Sequence, residues 1–293
     1  MTDRKLILSI LCCVLGCVIA ANTADVPKLT FKFTTSDLPG ALQTFPEGVN
    51  NIGVSVGQYQ DQNMLYHGYI LRGRKVTTLD DPNGTSTQAI GINPDGAIMV
   101  VGIYVSSSGR SVGFLYQDSK YTDIPGPTGT IQCVAAGIND RGSIVGTYID
   151  STKLTHGFLL KGKVYKTLDV PGAAATYATG INKGGKIVLN WLDSSGMIEA
   201  SLYNGKTYKT INVPGALSSF VFGISAAGDR VYQWTDSAGV DHAALFHIGK
   251  YYKFDYPKAL STYGGGINDT NLIVGGYQAV DNGPGHGFKA TYK

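Results

Sequence analysis

Apolar and polar residues alternate along this chain in short stretches, and no stretch sustains a helical period. Residues 174 to 216 show the unit clearly, as "TYATGIN", "GKIVLNWLD", "IEASLYN" and "KTYKTINVPG". β-branched and aromatic residues fill the alternating positions, and Pro-Gly closes the unit, which predicts four antiparallel strands. The same unit recurs around Gly48-Val49-Asn50, Gly91-Ile92-Asn93, Gly137-Ile138-Asn139, Gly180-Ile181-Asn182, Gly223-Ile224-Ser225 and Gly266-Ile267-Asn268. The anchor glycines are separated by 43, 46, 43, 43 and 43 residues. Four strands of about five or six residues with short turns fill such a unit. A fixed period of this length with four strands predicts an all-β, six-bladed β-propeller.

Turn chemistry supports the blades. Asn leads and Gly closes "NNIG", "NPDG", "NDRG" and "NKGG", with "SAAG" and "NDTN" as variants. An Asn or Ser side chain can bond the turn backbone, and Gly or Asn accepts the positive φ that follows. The longer third interval is read as a three-residue insertion in "IPGPTGTIQCVAAGIN", overhanging the mouth from Pro127 to Gln132; "AIMVVGIY" carries two extra residues. The chain stops on the third strand of the last unit, "HGFKATYK". Near the start, "LTFKFTTSDLPGA" aligns with "KVYKTLDVPGA", so the first strand is expected to complete the last blade and remove an open sheet edge.

The phrase "HGF" or "HGY" at His67, His156 and His286, together with "GIN…G.IVG.Y", resembles the bacterial extracellular repeats known as the HAF family. The resemblance spans essentially all of residues 22–293. It implies an exported, propeller-like repeat protein and no agreed activity.

Residues 1–21 read as a secretory signal peptide, with Arg4 and Lys5, an apolar run from Leu6 to Leu15, and a cleavage site at Val18-Ile19-Ala20. The alternative is a lipobox, Val14-Leu15-Gly16-Cys17, leaving a lipid anchor on Cys17. Residues 22–293 then form a single secreted or periplasmic domain with no membrane span, expected to be monomeric. Of four cysteines only Cys133 lies beyond the signal, so no internal disulfide is available and core packing must hold the fold. The formal charge of +3, or +2 without Asp3, Arg4 and Lys5, offers no sign of a nucleic-acid partner.

Repeated residues are the candidates for chemistry. His67, His156, His242 and His286 share one repeat position, which opens the third strand. That strand lies about 10 Å outside the innermost one, so the imidazoles of different blades cannot meet on one metal. A bond within each blade is the reading preferred. Tyr59, Tyr104, Tyr148, Trp191, Trp234 and Tyr277 share another position, which suits wedges between blades. Asp61, Asp150, Asp193 and Asp236 follow two residues later, and Asp37, Asp123, Asp169 and Asp255 precede the Pro-Gly turn. Asp is an ordinary turn residue. Thr44, Thr87, Thr176, Ser219 and Thr262 lie four residues before five of the anchor glycines and are expected as a hydroxyl ring at the channel mouth. With the first acidic set they are the candidate ligand-binding residues. No nucleophile elbow, His-Glu-x-x-His or phosphate loop occurs, and no cofactor is expected. The leading reading is a non-catalytic binding or scaffold propeller, presenting its mouth to a polysaccharide, cell-wall component or protein. The alternative is a hydrolase or lyase with a metal-assisted site there.

Overall fold

Six four-stranded antiparallel sheets, one per repeat, make up the described residues of the protein. The computed structural model describes residues 28–281 and 283–293. The expected signal peptide, its cysteines and the Cys17 alternative lie outside the described residues. Strand β1 spans Phe31–Thr35. Blade 1 is β2 (Gln43–Val49), β3 (Ser55–Gln60), β4 (Tyr66–Arg72) and β5 (Lys75–Leu79). Blade 2 is β6 (Gly84–Ile92), β7 (Met99–Ser106), β8 (Ser111–Gln117) and β9 (Lys120–Ile124). Blade 3 is β10 (Gln132–Ile138), β11 (Ile144–Ile149), β12 (Thr155–Lys161) and β13 (Val164–Leu168). Blade 4 is β14 (Ala175–Ile181), β15 (Ile187–Leu192), β16 (Ile198–Tyr203) and β17 (Tyr208–Thr210). Blade 5 is β18 (Ser218–Ile224), β19 (Arg230–Thr235), β20 (Asp241–His247) and β21 (Lys250–Phe254). Blade 6 is β22 (Ser261–Ile267), β23 (Leu272–Gln278) and β24 (Gly285–Tyr292), completed on its outer side by β1. Among the described residues no helix is long and apolar enough to cross a membrane.

The ring closes as the sequence predicts. Phe31 pairs with Tyr292 and Thr35 with Phe288 along an antiparallel ladder. Each first strand is innermost, and its anchor glycine faces the neighbouring blade. A Cβ on Gly91 would stand 2.5 Å from the Ala136 carbonyl oxygen, and one on Gly266 would stand 2.8 Å from the Gly48 Cα. At these two only a hydrogen fits, and at Gly48, Gly137, Gly180 and Gly223 a Cβ would stand 3.0 to 3.2 Å from its nearest neighbour, so the glycines set how closely the inner strands approach.

A second size rule joins the two middle strands. Gly102, Gly146 and Gly275 lie opposite Phe114, Phe158 and Phe288. A Cβ on Gly146 would come within 2.8 Å of the Phe158 ring. Blades 4 and 5 reverse the arrangement, pairing Leu189 with Ser201 and Tyr232 with Ala244. One large side chain per pair fills the same space from either strand. The core lies between blades, as where Val101 and Ile124 of blade 2 pack with Phe158 and Ile144 of blade 3.

Two expectations are corrected. Ile124 pairs with Gly113 as Leu168 pairs with Gly157, so the blade 2 to blade 3 crossing is one residue longer than its counterpart, not three. The other two extra residues sit in the β6–β7 turn, where Met99 rather than the fourth residue bonds Asn93. Asp123 consequently corresponds to Thr167, inside the strand, and not to Asp169 beyond it.

The second-to-third hairpins and the crossings between blades share one end of the ring, here the upper face. The Asn-led turns and the third-to-outer turns share the lower face.

Candidate functional site

Along each inner strand, alternate side chains point into the blade and toward the axis. Thr44, Thr87, Thr176, Ser219 and Thr262 take the inward positions and are no more than 1% exposed. Each hydroxyl accepts a backbone N–H six residues back, for example from Leu38 to Thr44 at 3.1 Å and from Asp81 to Thr87 at 2.9 Å. Val170, Val213 and Tyr256 do the same for Thr176, Ser219 and Thr262. The expected hydroxyl ring is therefore a set of pins holding the crossings. Those oxygens do not face the mouth. In blade 3 the pin position is Cys133, wholly buried, its thiol pushed up to about 12 by burial, which leaves it unreactive.

Residues one place further on face the axis instead. They are Phe45, Gln88, Val134, Tyr177, Phe220 and Tyr263, partly exposed where their neighbours are buried. Two residues further on, Glu47, Ile90, Ala136, Thr179 and Phe222 reach the axis by the same alternation, each sitting at the β-bulge that precedes its anchor glycine. Phe45 and Tyr263 stack at 6.4 Å and fold into blade 6, above Gly285 and Gly276. The sector toward blades 3 to 5 remains open. There a cavity of about 440 Å³ is lined by Gln132, Thr147, Tyr177, Thr179, Phe220 and Phe222, with Glu47 opposite. Its lower end is crossed by polar groups. Asn51 donates to Asp95 at 2.9 Å and Asp269 at 3.0 Å, and Lys183 reaches Asp95 at 3.7 Å.

Glu47 is the charged group in the apolar part of this cavity. Burial raises its pKa from 4.5 to about 7, opposed by a hydrogen bond from Gln58. A raised folded pKa means that the native state holds the proton more tightly than the unfolded chain. Its contribution is complete below 4.5 and is lost as pH climbs through about 7. Glu47→Gln should thus match the parent at about pH 4 and exceed it by about 2 kcal/mol at about pH 8, a figure reduced for the water the open channel admits. Urea unfolding at both pH values measures this, and equal stabilities at pH 8 would contradict it.

The histidines work within single blades. His67, His156 and His242 stack on Tyr59, Tyr148 and Trp234 at 5.1, 5.0 and 4.7 Å. Nδ1 of each ring bonds Asp80, Asp169 or Asp255 at 2.8 to 2.9 Å. Nε2 lies 3.4 to 3.5 Å from Asp61, Asp150 or Asp236. His286 makes the first of these bonds, to Asp37 at 2.9 Å. Partial burial opposes the charged ring, but the two carboxylates prevail and raise the pKa of His67, His156 and His242. These clips tighten below about pH 6.5 and loosen as pH rises through the raised values.

Asp61, Asp150, Asp193 and Asp236 each spend Oδ1 on backbone N–H groups two and four residues ahead. The turn hydrogen bonds, from Leu65 in Asp61 and from Thr152 in Asp150, hold these carboxyls below their usual range. Blade 4 replaces the clip with Asn212 donating to Glu199, while Trp191 donates to Ser201 at 3.0 Å. Blade 2, with Val112 in place of His, bonds Tyr104 to Asp123 at 3.3 Å. Trp234 is buried at 7% and donates to the Ala243 carbonyl, the behaviour of a wedge. Among the described residues no three His, Cys, Asp or Glu side chains are grouped to hold a metal ion.

No family model matches the chain, and no curated protein matches it. Solved structures do share its fold. A putative TolB from Agrobacterium tumefaciens matches at TM-score 0.60 and 14% identity, over 91% of this chain and 98% of that one. The SapL1 lectin in complex with alpha methyl fucoside matches at TM-score 0.55 and 8% identity, over 85% and 92%. Trypanosoma rangeli sialidase matches at TM-score 0.53 and 11% identity over 90% of this chain, which spans 59% of the sialidase's length. At such identities the likeness is one of fold.

Proposed function

We propose that the protein is an exported, non-catalytic binding propeller that takes a saccharide into the upper mouth of its axial cavity. The observation that carries this reading is the asymmetric opening toward blades 3 to 5. There Tyr177, Phe220 and Phe222 offer aromatic faces, and Gln132, Thr147, Thr179 and Glu47 offer hydrogen-bonding groups. A largely apolar concavity with a few placed polar groups is the usual form of a small-ligand site. Pyranose rings present C–H faces to aromatic rings and hydroxyls to amides and carboxylates, which matches this lining. A lectin and a sialidase among the solved structures of this fold are consistent with it.

Titration calorimetry against soluble plant and cell-wall glycans tests the reading. Tyr177→Ala and Phe220→Ala should each weaken the bound glycan about tenfold through loss of a stacking face. His67→Ala should leave binding unchanged. Parent-like binding by both aromatic variants would remove the cavity from the account.

Glu47 favours one second reading, a hydrolase, because a carboxyl poised near neutrality suits a general acid. Glycoside hydrolysis normally needs a second carboxylate within about 10 Å. Among the described residues the other one lining the cavity is Asp269, on the lower face. Turnover of a bound glycan that disappears in Glu47→Gln would establish the hydrolase and displace the binding module.

A further inference from the structure

The small net charge of the sequence conceals two oppositely charged faces. Arg72, Arg74, Lys161, Lys163, Lys206 and Lys250 are exposed on or beside the third-to-outer turns of the lower face. The clip carboxylates Asp61, Asp80, Asp150, Asp169, Asp236 and Asp255 all lie on the upper face. The lower face has acids of its own. Asp95 and Asp269 are engaged by Asn51 and Lys183 near the axis, Asp140 accepts the Asp95 N–H, and Asp229 binds His247. Asp118 in blade 2 is exposed.

Aliphatic side chains stand among these bases. Among the described residues the three most exposed large apolar side chains are Ile248 at 80%, Ile52 at 73% and Val164 at 72%, while eight less exposed ones, among them Met64 at 63% and Val280 at 58%, stand on the upper face. All three lie at the lower face, Ile248 and Ile52 in turns of blades 5 and 1 and Val164 at the first residue of β13 in blade 3, and Val164 and Ile248 sit within two residues of a lysine.

Ile248 is unusual in a second way. Its φ is +46°, where the matching turns of blades 1 and 3 use Gly73 at +61° and Gly162 at +59°. A β-branched residue is strained in that region. At 80% exposure it gains little packing in return. The chain also joins the propeller from this side, because Lys28 precedes β1 at its lower-face end, where Phe31 pairs with Tyr292.

We propose that the lower face docks on an anionic lipid bilayer, its bases at the headgroups and Ile52, Val164 and Ile248 inserted into the interface. A soluble polyanion would account for the lysines but not for exposed aliphatic tips, one of them strained. Basic residues around apolar tips are how peripheral proteins hold such surfaces. This docking is independent of the saccharide reading and turns the upper mouth away from the membrane.

Sedimentation with vesicles of phosphatidylcholine, with and without about one third phosphatidylglycerol, tests it. Residues 22–293 hold every strand of the closed ring and lack the apolar N-terminal run that would bind lipid by itself. They should sediment with the anionic vesicles only, and less so at about 1 M salt, where charges are screened within about 3 Å. Lys161→Glu with Lys163→Glu should lower partition more than tenfold, at about fivefold per base lost. Ile248→Gly relieves the strained turn, so it should fold at least as stably and still bind about tenfold less. Equal binding to neutral vesicles, or parent-like binding by Ile248→Gly, overturns the proposal. So does retention by soluble polyphosphate with no binding to anionic vesicles.

Discussion

Removing residues 28–36 should leave a protein without a single cooperative unfolding transition. Those residues supply the outer strand of blade 6, with Phe31 stacked on Phe254 at 4.4 Å and Phe33 edge-on to Phe288 at 5.6 Å. Their loss strips five ladder positions from β24 and bares the outermost part of the core that blades 5 and 6 share. An unpaired strand edge is also a template for another chain. The truncated protein should therefore self-associate, as read by light scattering, and lose its sharp thermal transition. A synthetic peptide of residues 28–37 added in trans should restore part of that transition by strand addition. A truncated protein that stays monomeric and melts as the parent does would show that closure by β1 is dispensable.

Phe158→Ala should cost about 3–5 kcal/mol, near the upper end for a single core truncation. The ring is wholly buried, packs edge-on to Tyr165 at 5.5 Å, and lies over Gly146, which has no side chain to fill the space left behind. Ser201→Ala in blade 4, at the same repeat position, opens no cavity because Leu189 already occupies that space, and should cost only about 1–2 kcal/mol, through the hydrogen bond that Trp191 loses. The contrast between two equivalent positions tests the size rule, and urea unfolding measures both. Similar losses at Phe158 and Ser201 would refute it.

How legible these features were depended on how local their signals are. The period, the Asn-led turns and the closing strand could be read directly, because each rests on a few adjacent residues whose turn chemistry has one solution. The mouth was misplaced by one residue, to Thr176 instead of Tyr177. In a strand of period two, a one-residue slip exchanges the two faces entirely. The recurrence of aromatics at 45, 177, 220 and 263 was an available signal for the axial face. The same slip turned Thr179 and Glu47 away from the axis, because they lie two residues beyond Tyr177 and Phe45 and share their face. Asp123 was matched to Asp169 through the Pro-Gly beside it, whereas strand pairing aligns it with Thr167. The separation of charge disappears in the total of +3 and emerges only when the two sets of hairpins are assigned to opposite faces.

The most direct test of the account is thermal and urea unfolding of residues 22–293 in a panel of soluble plant and cell-wall glycans. A ligand of the native cavity at about 100 times its dissociation constant adds about 2.7 kcal/mol. The account predicts a rise of that size with at least one glycan, abolished in a Tyr177→Ala, Phe220→Ala double variant that retains the parent fold. An unchanged transition in every glycan, or a rise that persists in the double variant, would contradict a saccharide site in the axial cavity.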